Sequence, residues 1–140
     1  MFLKSKNLVY LAWIQALIAT LGSLYFSEIR HFNPCTLCWY QRILMYPLVI
    51  IIAVGILRND KKLYQYVLPL SALGSLIAFY QVLLQNKFLP EAIAPCALGT
   101  SCLTKYTGYF GFITIPVMSL AAFIVITACM LVLKNNDLKK

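Results

Sequence analysis

The chain has 140 residues, of which 61% are hydrophobic and only 11% are charged. Soluble domains carry about 25% charged residues, so this composition excludes an ordinary soluble domain and favours a membrane protein. The formal net charge of +8 is typical of cytoplasmic anchoring by lysine and arginine in such a protein, rather than of binding to nucleic acid.

The chain begins with a short basic segment that contains Lys4 and Lys6. An uncharged run then covers residues 8–27, and a helix of about 20 residues spans the roughly 30 Å of bilayer hydrocarbon. The apolar region of a cleaved signal peptide is shorter, about 7–15 residues. We therefore expect a retained first transmembrane helix.

Three further spans are predicted after the first outer loop (28–37), at residues 38–57, 63–85 and 112–133. Pro47 lies inside the second span, and membrane helices tolerate proline there. A second outer loop, 86–111, is rich in proline and glycine, which argues against a continuous helix. The pattern predicts one domain over residues 1–140, an all-α membrane protein whose four transmembrane helices form an antiparallel bundle. Small residues such as Gly22, Ala53, Gly74 and Ala121 are expected to let helices approach closely.

The distribution of basic residues predicts the orientation. With four spans, both termini and the turn at 58–62 share one side, which carries eight basic residues against four on the other. The eight are Lys4, Lys6, Arg58, Lys61, Lys62, Lys134, Lys139 and Lys140, and the four are Arg30, Arg42, Lys87 and Lys105. The positive-inside rule then makes the termini cytoplasmic in the cell membrane.

Four of the five cysteines form two close pairs, Cys35/Cys38 and Cys96/Cys102, both on the predicted outer face. Disulfides form and persist in that compartment. Two structural disulfides and a four-cysteine zinc site are alternatives, although C-x5-C is wider than the usual zinc spacing. A C-x-x-C disulfide closes too small a ring to restrict much chain entropy. The pattern therefore also predicts a relay in which the two pairs exchange electrons.

Cys38 precedes Arg42 by four residues, so both lie on one face of the second helix. A helix N-terminus favours the thiolate, which is the species that exchanges disulfides. Arg42 is either an ordinary residue reaching the interface or a group that holds the Cys38 thiolate or polarises a carbonyl oxygen of a lipid-soluble acceptor. A quinone is the simplest such acceptor, because the sequence has no haem-attachment motif and a single histidine, His31, in a polar loop.

At these residues the chain resembles the DsbB family of quinone-coupled disulfide oxidoreductases, most closely its short BdbC-type members. The resemblance is carried by the string Cys35-x-x-Cys38-Trp-Tyr-Gln-Arg42 at the start of the second span and by the second pair before the fourth. It covers essentially the whole chain.

The resemblance implies a membrane enzyme that reoxidises a soluble, DsbA-like (BdbD-type) thioredoxin-fold oxidase and passes the electrons to the respiratory quinone pool, as menaquinone or ubiquinone. Cys96 would be attacked by the partner, and Cys102 would then attack Cys35. Cys38 and Arg42 would contact the quinone. No metal is implied.

Three other functions stay open from the residues alone. A vitamin K epoxide reductase relative would share the helical bundle and the quinone chemistry, but its C-x-x-C lies at a late helix. The second is a non-catalytic membrane protein whose outer loops are held by structural disulfides. A small transporter subunit is disfavoured, because all four acidic residues lie in loops or the tail. Cys129, deep in the fourth span, is interpreted as a small apolar residue.

Overall fold

The computed structural model describes residues 2–31, 35–90 and 114–139. These residues form four long α-helices and one π-helical turn, and the described residues contain no strand. In chain order the elements are α1 (Phe2–Leu24), the π-helical turn (Tyr25–Ile29), α2 (Thr36–Arg58), α3 (Tyr64–Gln85) and α4 (Ile115–Leu138).

All four helices are long and apolar enough to cross a membrane, which confirms the predicted all-α membrane fold. The helices extend beyond the uncharged runs: α1 already includes Lys4, and α4 continues past Lys134 to Leu138. A helix satisfies its own backbone hydrogen bonds in water as well as in lipid, so it need not end where the hydrocarbon ends. Pro47 lies within α2, and the helix continues through it.

Each helix packs against two others, in the closed order α1–α2–α3–α4–α1. A cavity of about 650 Å³ at one end is lined by residues that include Lys4, Lys61, Asn59 and Asp137. The start of α1, the α2–α3 turn and the end of α4 therefore share that end of the bundle. Asn59 ends α2 in the left-handed conformation, with φ of 51°, which asparagine tolerates better than most residues.

The centre of the bundle is filled by apolar side chains from every helix. Its fully buried members are Ala12, Ala16, Leu48, Ile52, Val67, Ala78, Phe123, Ile126 and Met130. This region also contains a polar contact: the Thr127 hydroxyl on α4 donates a hydrogen bond to the Ser71 hydroxyl on α3 over 3.0 Å. Such interhelical hydrogen bonds add about 0.6 kcal/mol in membrane bundles.

Two glycines that were expected at helix contacts behave differently. Gly74 on α3 lies directly against the fully buried ring of Phe123 on α4, and a Cβ at Gly74 would overlap that ring. Gly22 on α1 has nothing within 4 Å of the position that a Cβ would take. The expectation is therefore confirmed for Gly74 and is wrong for Gly22, because a small residue matters only where another helix approaches it.

Replacement of Gly74 with alanine is expected to destabilise the bundle by about 1–3 kcal/mol, the usual cost of overpacking a core. The Phe123 ring is fully buried, so it can move away from a new methyl group only by displacing other core side chains. Gly22→Ala is the matched control and should be neutral or slightly stabilising, because alanine favours a helix by about 1 kcal/mol over glycine. Thermal unfolding of both variants in the same detergent measures the difference. Equal midpoints for the two variants would contradict the close α3–α4 contact.

Candidate redox site

The paired cysteines begin α2. Cys35 is the N-cap: its backbone is extended (φ −74°, ψ 170°), and its Sγ accepts a hydrogen bond from the Cys38 backbone N–H at 3.4 Å. Its carbonyl oxygen accepts from the Trp39 N–H at 3.1 Å, the first bond of the helix ladder. A sulfur atom thus takes the place that a serine or aspartate oxygen occupies in an ordinary cap, facing the positive end of the helix dipole.

The two sulfur atoms of the pair lie 2.9 Å apart, and both cysteines are free thiols. The hydrogen bond to Cys38, and then burial, raise the pKa of the Cys35 thiol above its ordinary value. Cys35 therefore keeps its proton and can donate it towards Cys38. This is the arrangement expected of a C-x-x-C pair in its reduced form, with one thiol supporting the other sulfur.

A glutamine from the neighbouring helix meets the pair. The Nε2 group of Gln81 on α3 donates to Cys35 Sγ at 3.2 Å and to Cys38 Sγ at 3.3 Å. The Oε1 atom of Gln81 accepts from Nε2 of Gln41 at 2.6 Å. Both glutamines are buried. This amide pair joins the start of α2 to the end of α3, as the antiparallel arrangement requires.

Arg42 joins the same site to α1. Its Nη2 donates to the Ser23 carbonyl oxygen at 3.1 Å, and its guanidinium carbon lies 5.6 Å from the centre of the Trp39 ring. Directly after Leu24, next to this Ser23 contact, the hydrogen-bonding pattern of the first helix changes from α to the wider π form. Irregular turns of this kind occur often at functional sites in membrane and soluble helices.

The site has an inner and an outer side. Cys35 is 6% exposed and packs with Leu37 and Leu84 in a small apolar cluster that is separate from the main core. Cys38 and Arg42 are half-buried. Large apolar and aromatic side chains on the same end of α2 are exposed, and in a spanning helix such residues face lipid. They are Trp39, Tyr40 and Ile43.

The structure brings together three of the predicted site residues, Cys35, Cys38 and Arg42. Cys96 and Cys102 lie outside the described residues. Cys129 is buried in the main core with the apolar side chains of α4, consistent with a packing role. His31 is exposed next to the end of the first helix.

Sequence reasoning missed the contribution of the amide pair. Gln41 is part of the string Cys35-x-x-Cys38-Trp-Tyr-Gln-Arg42, but the sequence predicted no role for it. The position of Gln81 could have indicated such a contact, because a glutamine within an otherwise apolar span needs a hydrogen-bonding partner in the protein. Its partners come from another helix, so no spacing rule along the chain identifies them.

Comparisons with known proteins show the family to which the chain belongs. A family model described as "Disulfide bond formation protein DsbB" matches residues 5–133. No solved structure matches the chain significantly. The match covers most of each of the four helices and includes both cysteine pairs. The chain therefore belongs to the DsbB family of disulfide bond formation proteins.

Several named relatives align over nearly their full length. The chain is 50% identical over 128 residues to "Disulfide bond formation protein C" of Bacillus subtilis, covering 91% of this chain and 93% of that protein. It is 46% identical to "Probable disulfide formation protein C" of Halalkalibacterium halodurans, over 93% and 95% of the two chains. A "Probable disulfide formation protein" of Metapseudomonas resinovorans is 39% identical, over 93% and 91%. The protein is thus a multi-pass membrane disulfide oxidoreductase.

Proposed function

We propose that this protein reoxidises a soluble, extracytoplasmic thiol oxidase of the DsbA type and passes the electrons to a membrane quinone. The observation that carries the proposal is the pair Cys35/Cys38, held as neighbouring thiols at the N-terminus of a spanning helix, with the half-buried cation Arg42 one turn further on. The family membership supports disulfide chemistry, and the position beside lipid supports an acceptor that dissolves in the membrane.

The orientation follows from charge. The end of the bundle with the cavity, the termini and the α2–α3 turn carries most of the lysines and arginines, so it is proposed to be cytoplasmic. Cys35 and Cys38 lie at the other end, which would be the outer face. A soluble thiol oxidase outside the membrane can reach that face, where disulfides persist.

Cys96 and Cys102 are proposed to receive the electrons first. The partner's two thiols reduce the Cys96–Cys102 disulfide, and the partner leaves with its own disulfide restored. The two new thiols then reduce the Cys35–Cys38 disulfide by exchange through a mixed disulfide, Cys102 attacking Cys35. Two electrons and two protons thus arrive at Cys35 and Cys38, and the second pair returns to its oxidised form.

The residues at the start of α2 fit a quinone. A flat, lipid-soluble ring with two carbonyl oxygens needs an apolar approach and a hydrogen-bond donor. The exposed Trp39 and Ile43 side chains supply the apolar approach. The guanidinium of Arg42 supplies the donor, because it has further N–H groups besides the one that donates to the Ser23 carbonyl oxygen. When bound, menaquinone or ubiquinone would supply an acceptor for two electrons and two protons.

The chain's own groups prepare the pair for that transfer. Cys35, with its raised pKa, holds a proton beside Cys38, and Arg42 supplies a positive charge on the Cys38 side. Strong thiol oxidants of the DsbA type have a potential of about −120 mV, so only a more oxidising acceptor restores them. A respiratory quinone meets that requirement.

Turnover with purified components tests the proposal. The oxidised protein in detergent, mixed with a reduced DsbA-type dithiol protein and a short-chain quinone, is expected to consume quinone, followed by its absorbance. Cys38→Ser and Cys96→Ser should each abolish turnover, while Cys129→Ser should retain it. A stapled, non-catalytic protein would instead show no turnover with ubiquinone-type or menaquinone-type acceptors, and its cysteine variants would lose stability rather than activity.

Arg42→Met is expected to raise the KM for quinone by about 10- to 100-fold, the equivalent of one hydrogen bond to a charged group. Arg42→Lys keeps the charge but not the planar fork, so its increase should be smaller. The rate of thiol exchange with the partner should change in neither variant, and Arg58→Met at the opposite end is the control. If Arg42→Met slowed exchange and left the quinone dependence unchanged, Arg42 would serve only to fasten α2 to α1.

A further inference from the structure

Gln81 is a polar side chain buried without access to water. It is 1% exposed, and it lies on α3 within a run that carries no charge. An unpaired amide in this position is costly, because hydrocarbon offers no hydrogen-bonding partner. Among the described residues, its hydrogen-bonding partners are Cys35, Cys38 and Gln41, which lie at the N-cap and in the first turns of α2.

The direction of these hydrogen bonds is set by Gln41. Gln41 is itself 6% exposed, and its Nε2 donates to Oε1 of Gln81 over the short distance of 2.6 Å. With the Gln81 oxygen engaged, the Nε2 group of the same amide is turned towards the sulfurs of Cys35 and Cys38, at 3.2 and 3.3 Å. A reversed Gln81 amide would place two N–H groups against each other and its oxygen against the sulfurs.

We propose that Gln81 is a positioning residue that stabilises the reduced Cys35/Cys38 pair by donating to its sulfurs, and that Gln41 holds the Gln81 amide in the donating orientation. This inference rests on the proposed function only in naming what the pair does. The geometry concerns the pair itself, whatever molecule receives its electrons.

The physical consequence concerns the balance between dithiol and disulfide. A hydrogen bond to a charged acceptor is about twice as strong as one between neutral groups, so the Gln81 N–H favours a thiolate over a disulfide sulfur. Stabilising the reduced form makes a disulfide more oxidising, as in the strongest thiol oxidants. Gln81 thus makes the Cys35–Cys38 disulfide a better electron acceptor for the second pair.

The same hydrogen bonds also increase the reactivity of the reduced pair. The thiolate is the nucleophile in exchange and alkylation, and the Gln81 donor raises the fraction of the pair that carries a thiolate. Gln41 does not reach the sulfurs, so it acts only through Gln81. The two substitutions are therefore predicted to be non-additive, as for any two members of one hydrogen-bond network.

The test uses the full chain with Cys96, Cys102 and Cys129 replaced by alanine, so that Cys35 and Cys38 are the only thiols. Gln81→Met, Gln41→Met and the double variant keep the volume and remove the amides. Ser71→Ala, which removes a buried hydroxyl from the same helix far from the sulfurs, is the matched control. Two readouts are measured without quinone or partner: the dithiol–disulfide equilibrium in glutathione buffers, and the rate of alkylation of the reduced pair by iodoacetamide.

Gln81→Met is expected to shift the equilibrium about tenfold towards the disulfide, which is about 30 mV for this two-electron couple, and to slow alkylation severalfold. Gln41→Met should shift both in the same direction by a smaller factor. The double variant should match Gln81→Met alone, and Ser71→Ala should match the parent protein.

Unchanged equilibria and alkylation rates in both glutamine variants would overturn the inference, as would effects that simply multiply in the double variant. If Gln81→Met fails to fold, judged by its helical circular dichroism, Gln41→Met alone decides, because it leaves the Gln81 side chain in place. Failure of the proposed function gives a different result. If the enzyme showed no quinone turnover but the glutamine variants showed these shifts, quinone would be excluded as the acceptor and the role of Gln81 would be retained.

Discussion

The site depends on one interhelical contact, the hydrogen bonds from the Gln81 amide on α3 to the two sulfurs at the N-terminus of α2. The contact exists because α2 and α3 run antiparallel through a short turn, which brings the last turns of α3 beside the first turn of α2. Cys35 is buried, so water does not satisfy its sulfur. Here lipid is the surrounding solvent, so the hydrogen bonds of the two sulfurs must come from the protein.

Three helices converge on this point for different physical reasons. α2 supplies the sulfurs and a helix N-terminus that favours negative charge. α3 supplies the amide donor, and α1 accepts the Arg42 guanidinium at the Ser23 carbonyl oxygen. The main core lies elsewhere, around Phe123 and the middle of α3 and α4. The cysteine pair and the main core therefore belong to separate apolar clusters, so we expect the cysteines to change oxidation state without repacking of the centre.

Much of the fold was accessible from the sequence. Uncharged runs of spanning length and a scarcity of charge identify transmembrane helices, because the bilayer imposes both requirements directly. The cysteine spacing and Arg42 one turn later predicted a redox pair, and the structure places these residues close together because they are neighbours along one helix. Helix ends were less predictable: α1 and α4 continue into charged sequence such as Lys4 and Lys134, where hydropathy no longer distinguishes helix from loop.

The remaining part of the site could not be predicted because it depends on contacts between helices. Nothing along the chain indicates that Gln41 and Gln81, 40 positions apart, share a hydrogen bond. Likewise, Gly74 and Gly22 have the same residue type and similar apolar surroundings in the sequence, yet only Gly74 meets a neighbouring ring. Rotation of each helix about its axis decides both cases, and the weakly amphipathic sequence of a membrane helix does not determine that rotation.

The central claim is that Cys35 and Cys38 alone deliver electrons to the membrane acceptor, and a single-turnover experiment tests it most directly. The protein with Cys96, Cys102 and Cys129 replaced by alanine is reduced, freed of reductant and mixed with a short-chain quinone in the absence of any partner protein. We expect one quinone to be consumed per protein as the two thiols are lost to a Cys35–Cys38 disulfide. Thiols that persist beside unconsumed quinone would contradict it.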